Sequence, residues 1–253
     1  MPEKIEPLLG STHLRKMKQS FGKILIPRLP VTRHVFNHFR WEVNALWVGL
    51  NNALNPFAAM KINEIVKKDD LSVNIGCGPL IKEGWVNVDL MNIKSISFRY
   101  DCRKRLPFRE SSVSRIRCEH FLEHLDHLEE APLLLASCLR CLKKGGTLRI
   151  VVPDAGTHLA AYESGRKEDW KALGWDLDNL PPDFYTPMDI VNHIFRQGDE
   201  HRYAYDFETL ERMLTRAGFS KGVRTEFGAS LDPQLRDDLP SHKPYSLYVE
   251  AVK

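Results

Sequence analysis

The segment Asn74-Ile75-Gly76-Cys77-Gly78 carries an apolar run into a tight turn. Two glycines one residue apart let a backbone come close to a ligand, and open α/β sheets bind ligands at the carboxyl ends of their strands. The pattern narrows the ligand. Ile81 stands where a G-x-G-x-x-G turn has its third glycine, so a pyrophosphate-binding turn is disfavoured. No Gly-Lys-Ser/Thr follows, so a nucleoside triphosphate loop is disfavoured too. A nucleoside ligand without phosphate remains. Asp89 ends the next apolar run, where an acidic side chain can accept both ribose hydroxyl protons. Asp101-Cys102 ends a third, where a carboxylate or backbone groups could meet an adenine amino group, and Cys118-Glu119-His120 ends a fourth. Singly, each acid reads equally well as a turn cap. At successive strand ends they read as one ligand shelf.

His120, His124 and His127, with Glu119 and Glu123, have the spacing of ligands on a helix. The segment lacks H-E-x-x-H, so no metal is expected there, and a metal-dependent hydrolase built on this group is a lesser alternative. Cys138-x-x-Cys141 has no second pair, so packed thiols are expected rather than zinc.

Regular elements must hold these residues. Leu71–Ile75, Trp85–Asp89, Ile96–Asp101, Val113–Cys118 and Thr147–Val152 read as strands. A helix from Leu128 to Leu142 follows the fourth and is stopped by Lys143-Lys144-Gly145-Gly146. Strands alternating with helices predict a parallel sheet covered on both faces. Asp206 caps a helix closed by Gly218, and Gly222–Phe227 and Ser246–Val252 read as closing strands, the last one antiparallel. Residues 154–205 show no clear period and read as a substrate lid. Upstream, Phe36, Phe39, Val43, Leu46, Trp47, Leu50, Leu54 and Phe57 form a helical stripe that ends or kinks at Asn55-Pro56 and is expected to pack on a core.

The chain has 253 residues, 43% hydrophobic and 27% charged, an ordinary globular composition that excludes disordered, collagenous and coiled-coil classes. No apolar run reaches the ~18 residues of a membrane span. Met1-Pro2-Glu3-Lys4 lacks the form of a secretory signal, and five cysteines, an odd number, argue for a reducing compartment, so the expected location is cytoplasmic. Residues 1–40 hold eight Lys/Arg against two Glu within a net charge of +3. This basic leader suggests an anionic surface, such as peripheral contact with a membrane. The rest is slightly acidic and lacks a basic aromatic motif, which disfavours nucleic acid.

Five motifs in order resemble a class I S-adenosylmethionine-dependent methyltransferase, closest to the methyltransferase type 11-like bacterial group. They are Val73–Gly78, Gly84–Asp89, Asp101 with Leu106-Pro107-Phe108, Glu119–Leu125, and Leu142–Asp154. The resemblance implies an α/β, doubly wound, seven-stranded, mostly parallel sheet of Rossmann-like type. The resemblance covers about residues 70–253; with the charge and periodicity it gives a basic leader with amphipathic helical extension (1–65) and a methyltransferase domain (66–253), the aperiodic lid lying at 154–205. It implies S-adenosylmethionine as cofactor, contacted by Asn74, Gly76, Cys77, Gly78, Asp89, Leu90, Asp101, Cys102, Glu119 and His120. Two departures stand out: Asn74 replaces the usual acid, and the gap from Gly78 to Asp89 is short for a helix.

The expected reaction is in-line methyl transfer to a small hydroxylated or saccharide-like acceptor. An oxygen nucleophile must lose its proton, and His120 or His201 is the expected base. A non-catalytic nucleoside-binding or membrane-associated module is the alternative. The oligomeric state is left open.

Overall fold

A computed structural model describes residues 32–253 of the chain. The chain divides into two compact units, Met1–Leu46 and Trp47–Lys253. In the first, the described residues open helix α1 (Arg33–Leu54). The leader's first 31 residues, on which most of the predicted basic arm falls, lie outside the described residues.

In the second unit, Trp47, Leu50, Leu54 and Phe57 are exposed, so this part of the apolar stripe does not pack on the core. A 3.6-residue period defines a face but not its partner. Helix α2 (Pro56–Val66) starts at the expected break. Asn55 Oδ1 accepts from the Phe57 and Ala58 backbone N–H groups, and Pro56 occupies the first turn, where its missing N–H costs nothing.

Seven strands form one sheet: β1 (Leu71–Ile75), β2 (Val86–Asp89), β3 (Phe98–Arg99), β4 (Val113–Glu119), β5 (Leu142–Pro153), β6 (Val223–Thr225) and β7 (Ser246–Val252). Their order is β3-β2-β1-β4-β5-β7-β6. The pairs among β1–β5 are parallel, and β7 is antiparallel to β5 and β6. The order reverses between β1 and β4, a switch point of the kind that opens a ligand crevice.

One face is apolar. Val73, Ile75, Ile116, Cys118, Leu148, Ile150 and Val249 pack with α3 (Glu130–Cys141) and α7 (Phe207–Ala217) in the main core. The opposite face departs from the expected helical cover. Among the described residues, the connections β1–β2, β2–β3 and β3–β4 contain no helix. The cross-strand row Asn74, Arg117, Arg149, Glu250 is polar, and residues 226–245 lie over it. Asp238 accepts from Arg117 Nη1 at 2.9 Å and from Arg149 Nε at 3.1 Å, while Arg149 Nη1 donates to Glu250 at 2.8 Å. The buried guanidinium groups are therefore matched by carboxylates, which is what makes such a row tolerable without water.

Helix α3 ends at Cys141, earlier than the Lys-Lys-Gly-Gly stop predicts. The backbone N–H groups of Ser111 and Ser112 take the Arg140 and Cys141 carbonyls, and Leu142 already pairs with Val113. Gly145 (φ +78°) instead sits in an irregular stretch of β5, between the Val113–Leu142 and Arg115–Thr147 pairs.

The insertion read as an aperiodic lid is helical: α4 (Ala155–Ser164), α5 (Lys167–Ala172) and α6 (Pro187–Arg196). Trp170, Leu173, Ile190 and Val191 give it a small core of its own. Helix α5 is too short to show a period, while α6 buries Ile190, Val191 and Ile194 on one face; α4 and α6 are capped, Asp154 accepting from Thr157 N–H and Thr186 and Asp189 forming a reciprocal box.

Candidate functional site

Gly76 and Gly78 both adopt left-handed backbone, φ +60° and +48°. A side chain at Gly76 would also collide with Phe121, since a Cβ there would stand 2.2 Å from the ring. At Gly78 the space is open, with nothing within 4 Å of a Cβ position. Gly78 N–H donates to Asp89 Oδ2 at 2.9 Å, and Met91 N–H donates to Oδ1 at 2.7 Å. A carboxylate accepts about four hydrogen bonds, so acceptor capacity remains for a diol.

Asn74 explains the departure at its position. Its Nδ2 donates to the Leu80 carbonyl at 2.8 Å and to Asn87 Oδ1 at 3.0 Å. Asn87 in turn donates to the carbonyls of Lys82 and Trp85 and accepts from Lys82 N–H. The two amides hold the 78–85 turn in place where the short gap leaves out a helix. A carboxylate at 74 could not donate.

The other candidates sit at the same strand ends with different freedom. Cys77 and Cys102 are buried, and burial, reinforced by Asp89, pushes the Cys77 thiol up to about 12. Leu90 is buried and its carbonyl accepts from Arg99. The Asp101 carboxylate is gripped by Arg103, Nε to Oδ1 at 2.9 Å and Nη2 to Oδ2 at 3.0 Å. Glu119 is engaged on both oxygens, Oε2 by Arg117 at 2.6 Å and Oε1 by His242 at 3.0 Å. Burial resists its ionisation, but His242 and Arg117 outweigh that and hold it down to about 2.

His120 has φ +48°, rare for a non-glycine residue, and turns its ring off the end of β4. Nε2 lies 2.9 Å from Ser246 Oγ, Nδ1 lies 3.2 Å from Glu123 Oε1, and the His242 ring packs 4.1 Å away. His201 is different: it is buried, Nδ1 donates to the Ile194 carbonyl at 2.7 Å, and burial lowers its pKa. His127 stacks on Tyr203, centroids 4.2 Å apart, and does not join His120 and His124 in a common ligand group. The histidine trio of the lesser, metal-dependent alternative is therefore not assembled, because the segment after β4 is a single 3-10 turn (Leu122–His124) and not a helix.

Sequence reasoning missed Phe121, His242, Ser246 and Asp238, and met Glu123 only as part of the lesser metal alternative. Polar Arg117 and Glu119, alternating in a buried strand, were the available signal for Asp238 and His242.

Residues 87–150 match the family described as "Methyltransferase domain". No curated protein matches the sequence. Among solved structures, a SAM-dependent methyltransferase from Thermotoga maritima is 16% identical over 87% of this chain and 97% of its own, TM-score 0.44. One from Archaeoglobus fulgidus is 17% identical over 82% and 99%, TM-score 0.44. The 1,6-didemethyltoxoflavin-N1-methyltransferase of Burkholderia thailandensis, with bound 1,6-didemethyltoxoflavin and S-adenosylhomocysteine, is 14% identical over 98% and 93%, TM-score 0.41.

The sheet order and the matched domain define a class I S-adenosylmethionine-dependent methyltransferase fold. Residues 87–150 thus carry a methyltransferase domain, and S-adenosylmethionine is the group the resemblance implies for the strand tips around it. The turn fits that group: a glycine beside open space, next to a carboxylate with acceptor capacity left.

Proposed function

We propose that the protein methylates a hydroxyl of a small, saccharide-like acceptor, with His120 receiving the proton. The observation that carries this reading is His120 itself, a partly exposed imidazole at the tip of β4, flanked at Nδ1 by a carboxylate. That is the arrangement of a base held by an orienting group. S-adenosylmethionine supplies a methyl group already activated by a positively charged sulfur. Gly76, Cys77 and Gly78 would leave it room along the backbone. Asp89 would accept from its ribose hydroxyls, with Asn74 and Leu90 shaping the turn and Asp101 and Cys102 bounding the adenine end. Glu119 would act through the strand tip it braces. Holding the partners in line is worth roughly 7–11 kcal/mol, and proton removal about 10²–10⁴-fold.

For the acceptor, the Ser246 contact at His120 Nε2 is one that a substrate hydroxyl can replace. Trp175 and Phe184, stacked 5.6 Å apart, and exposed Tyr185 give the 154–205 insertion aromatic surface suited to a ring's C–H face. His201, with Nδ1 committed and its ring buried, is the poorer base.

His120→Asn tests the reading, because Asn tolerates left-handed backbone and lacks the base. Turnover of a panel of hydroxylated acceptors, followed by S-adenosylhomocysteine release, should fall about 10²–10⁴-fold with little change in cofactor KM. Unchanged kcat would refute the role of His120.

A second reading, peripheral attachment to an anionic membrane, is favoured by exposed Trp47, Leu54 and Phe57. Among the described residues, no helix is long and apolar enough to cross a membrane. Sedimentation with anionic liposomes should pellet the full chain and lose a Trp47→Ser/Phe57→Ser variant. Equal pelleting would remove this face from the account.

A further inference from the structure

The Glu123 carboxylate poses a problem the methyltransferase reading leaves unsolved. The residue is 1% exposed, and neither side-chain oxygen has a hydrogen-bond donor among the described residues. Its one close partner among them is the His120 imidazole, Nδ1 at 3.2 Å from Oε1; burial resists ionisation of the carboxyl, but His120 and His124 hold it below the usual range. A carboxylate this buried, with one imidazole beside it and the rest of its acceptor capacity unfilled, favours a further positive partner.

Two further residues converge on it. One oxygen of Glu123 and one ring nitrogen each of His124 and His201 all lie within 4.8 Å of one another. The rings stand edge to face, centroids 4.9 Å apart. Each imidazole has its Nδ1 taken by a main-chain carbonyl: His124 by Glu200 at 2.9 Å, His201 by Ile194 at 2.7 Å. If Nδ1 carries the proton, the Nε2 lone pair is left free in both. Metal-ligating histidines are held in this way, the outer nitrogen fixed by a carbonyl or carboxylate.

The backbone locks the arrangement. Arg202 and Tyr203 N–H both donate to the Glu123 carbonyl, at 2.8 and 3.2 Å, so the segment carrying His201 is clipped to the turn carrying Glu123 and His124. A small crevice lined by Glu123, Pro153, Ile194, Tyr203, Ala204 and Tyr205 adjoins the carboxylate, and the buried Tyr205 hydroxyl also lacks a partner.

We propose that Glu123, His124 and His201 bind one divalent transition-metal cation of the Zn²⁺ type. Two imidazoles and a carboxylate form the donor set of borderline metals, and three protein ligands leave a position open for water or another oxygen or nitrogen donor. The cation would neutralise Glu123 and tie the insertion's return arm to the tip of β4. The sequence hides the site, because His201 lies far along the chain from the Glu-His pair. The proposal is independent of the acceptor, but it shares Glu123 with the reading of His120 as base, and metal uptake read without turnover separates the two.

The test uses the full chain, stripped with a chelator and titrated with Zn²⁺ by calorimetry, with metal content measured after dialysis. The expected result is one ion per chain at micromolar affinity or tighter, and at least a hundredfold loss in His124→Ala and in His201→Gln. Co²⁺ loaded in place of Zn²⁺ should show visible ligand-field bands that vanish in the same variants. Glu123→Gln keeps the side chain's volume and should also lose the ion; if it fails to fold, the partly exposed His124→Ala decides, with thermal unfolding confirming its fold. Absence of stoichiometric uptake, or uptake unchanged in both histidine variants, would overturn the site.

Discussion

Gly78 N–H donates to Asp89 Oδ2 at 2.9 Å, fastening the turn after β1 to the end of β2. The same carboxylate that faces the expected ribose therefore also holds the glycine turn in shape. Asp89→Ala should weaken S-adenosylhomocysteine binding more than tenfold, by removing the diol acceptor and loosening the turn together. Affinity measured by calorimetry checks this, and an unchanged value would refute the assignment.

Gly76 combines left-handed backbone with the Phe121 ring against its α-carbon. Gly76→Ala should cost about 2–5 kcal/mol, from backbone strain and overpacking together. Denaturant unfolding measures it, and Phe121→Ala in the same chain should recover part of the loss. No recovery would mean that the contact does not set the cost.

Asn74→Asp restores the acidic residue of the resembling family but removes the donor to Leu80 and Asn87. It should lower stability by about 1–3 kcal/mol through unsatisfied buried oxygens. A neutral or stabilising result would contradict the amide pair's role.

Asp238 is the shared carboxylate between Arg117 and Arg149. Asp238→Ala leaves two buried guanidinium groups short of an acceptor and should cost about 3–5 kcal/mol. A loss below 1 kcal/mol would show that water replaces it.

Glu119 is held at about 2 in the folded protein against an ordinary 4.5. A depressed carboxylate contributes stability above its unfolded value and loses it as pH falls through the folded one. Folding free energy should therefore drop by about 3 kcal/mol between pH 5 and pH 2, and Glu119→Gln should flatten that slope. Equal slopes would contradict the assignment.

The strands were legible because runs such as Leu71–Ile75 and Ser246–Val252 carry their own apolar pattern and turn residues. The helical insertion was not, because α5 spans only Lys167–Ala172 and shows no period. The polar sheet face was obscured for another reason. Arg117 and Arg149 look like surface residues until Asp238, far away in sequence, is folded over them. Within the candidate site, glycines and Asp89 could be read from local spacing. Glu123 with His201, and His120 with His242 and Ser246, arise only from long-range closure of the chain.

The central claim is that the tips of β1, β2 and β4 form a shelf for an adenosyl group. Calorimetric titration of the full chain with S-adenosylhomocysteine tests it most directly. The account predicts saturable binding of one ligand per chain, reduced more than tenfold in Asp89→Ala; no detectable binding at millimolar ligand by folded protein would contradict it.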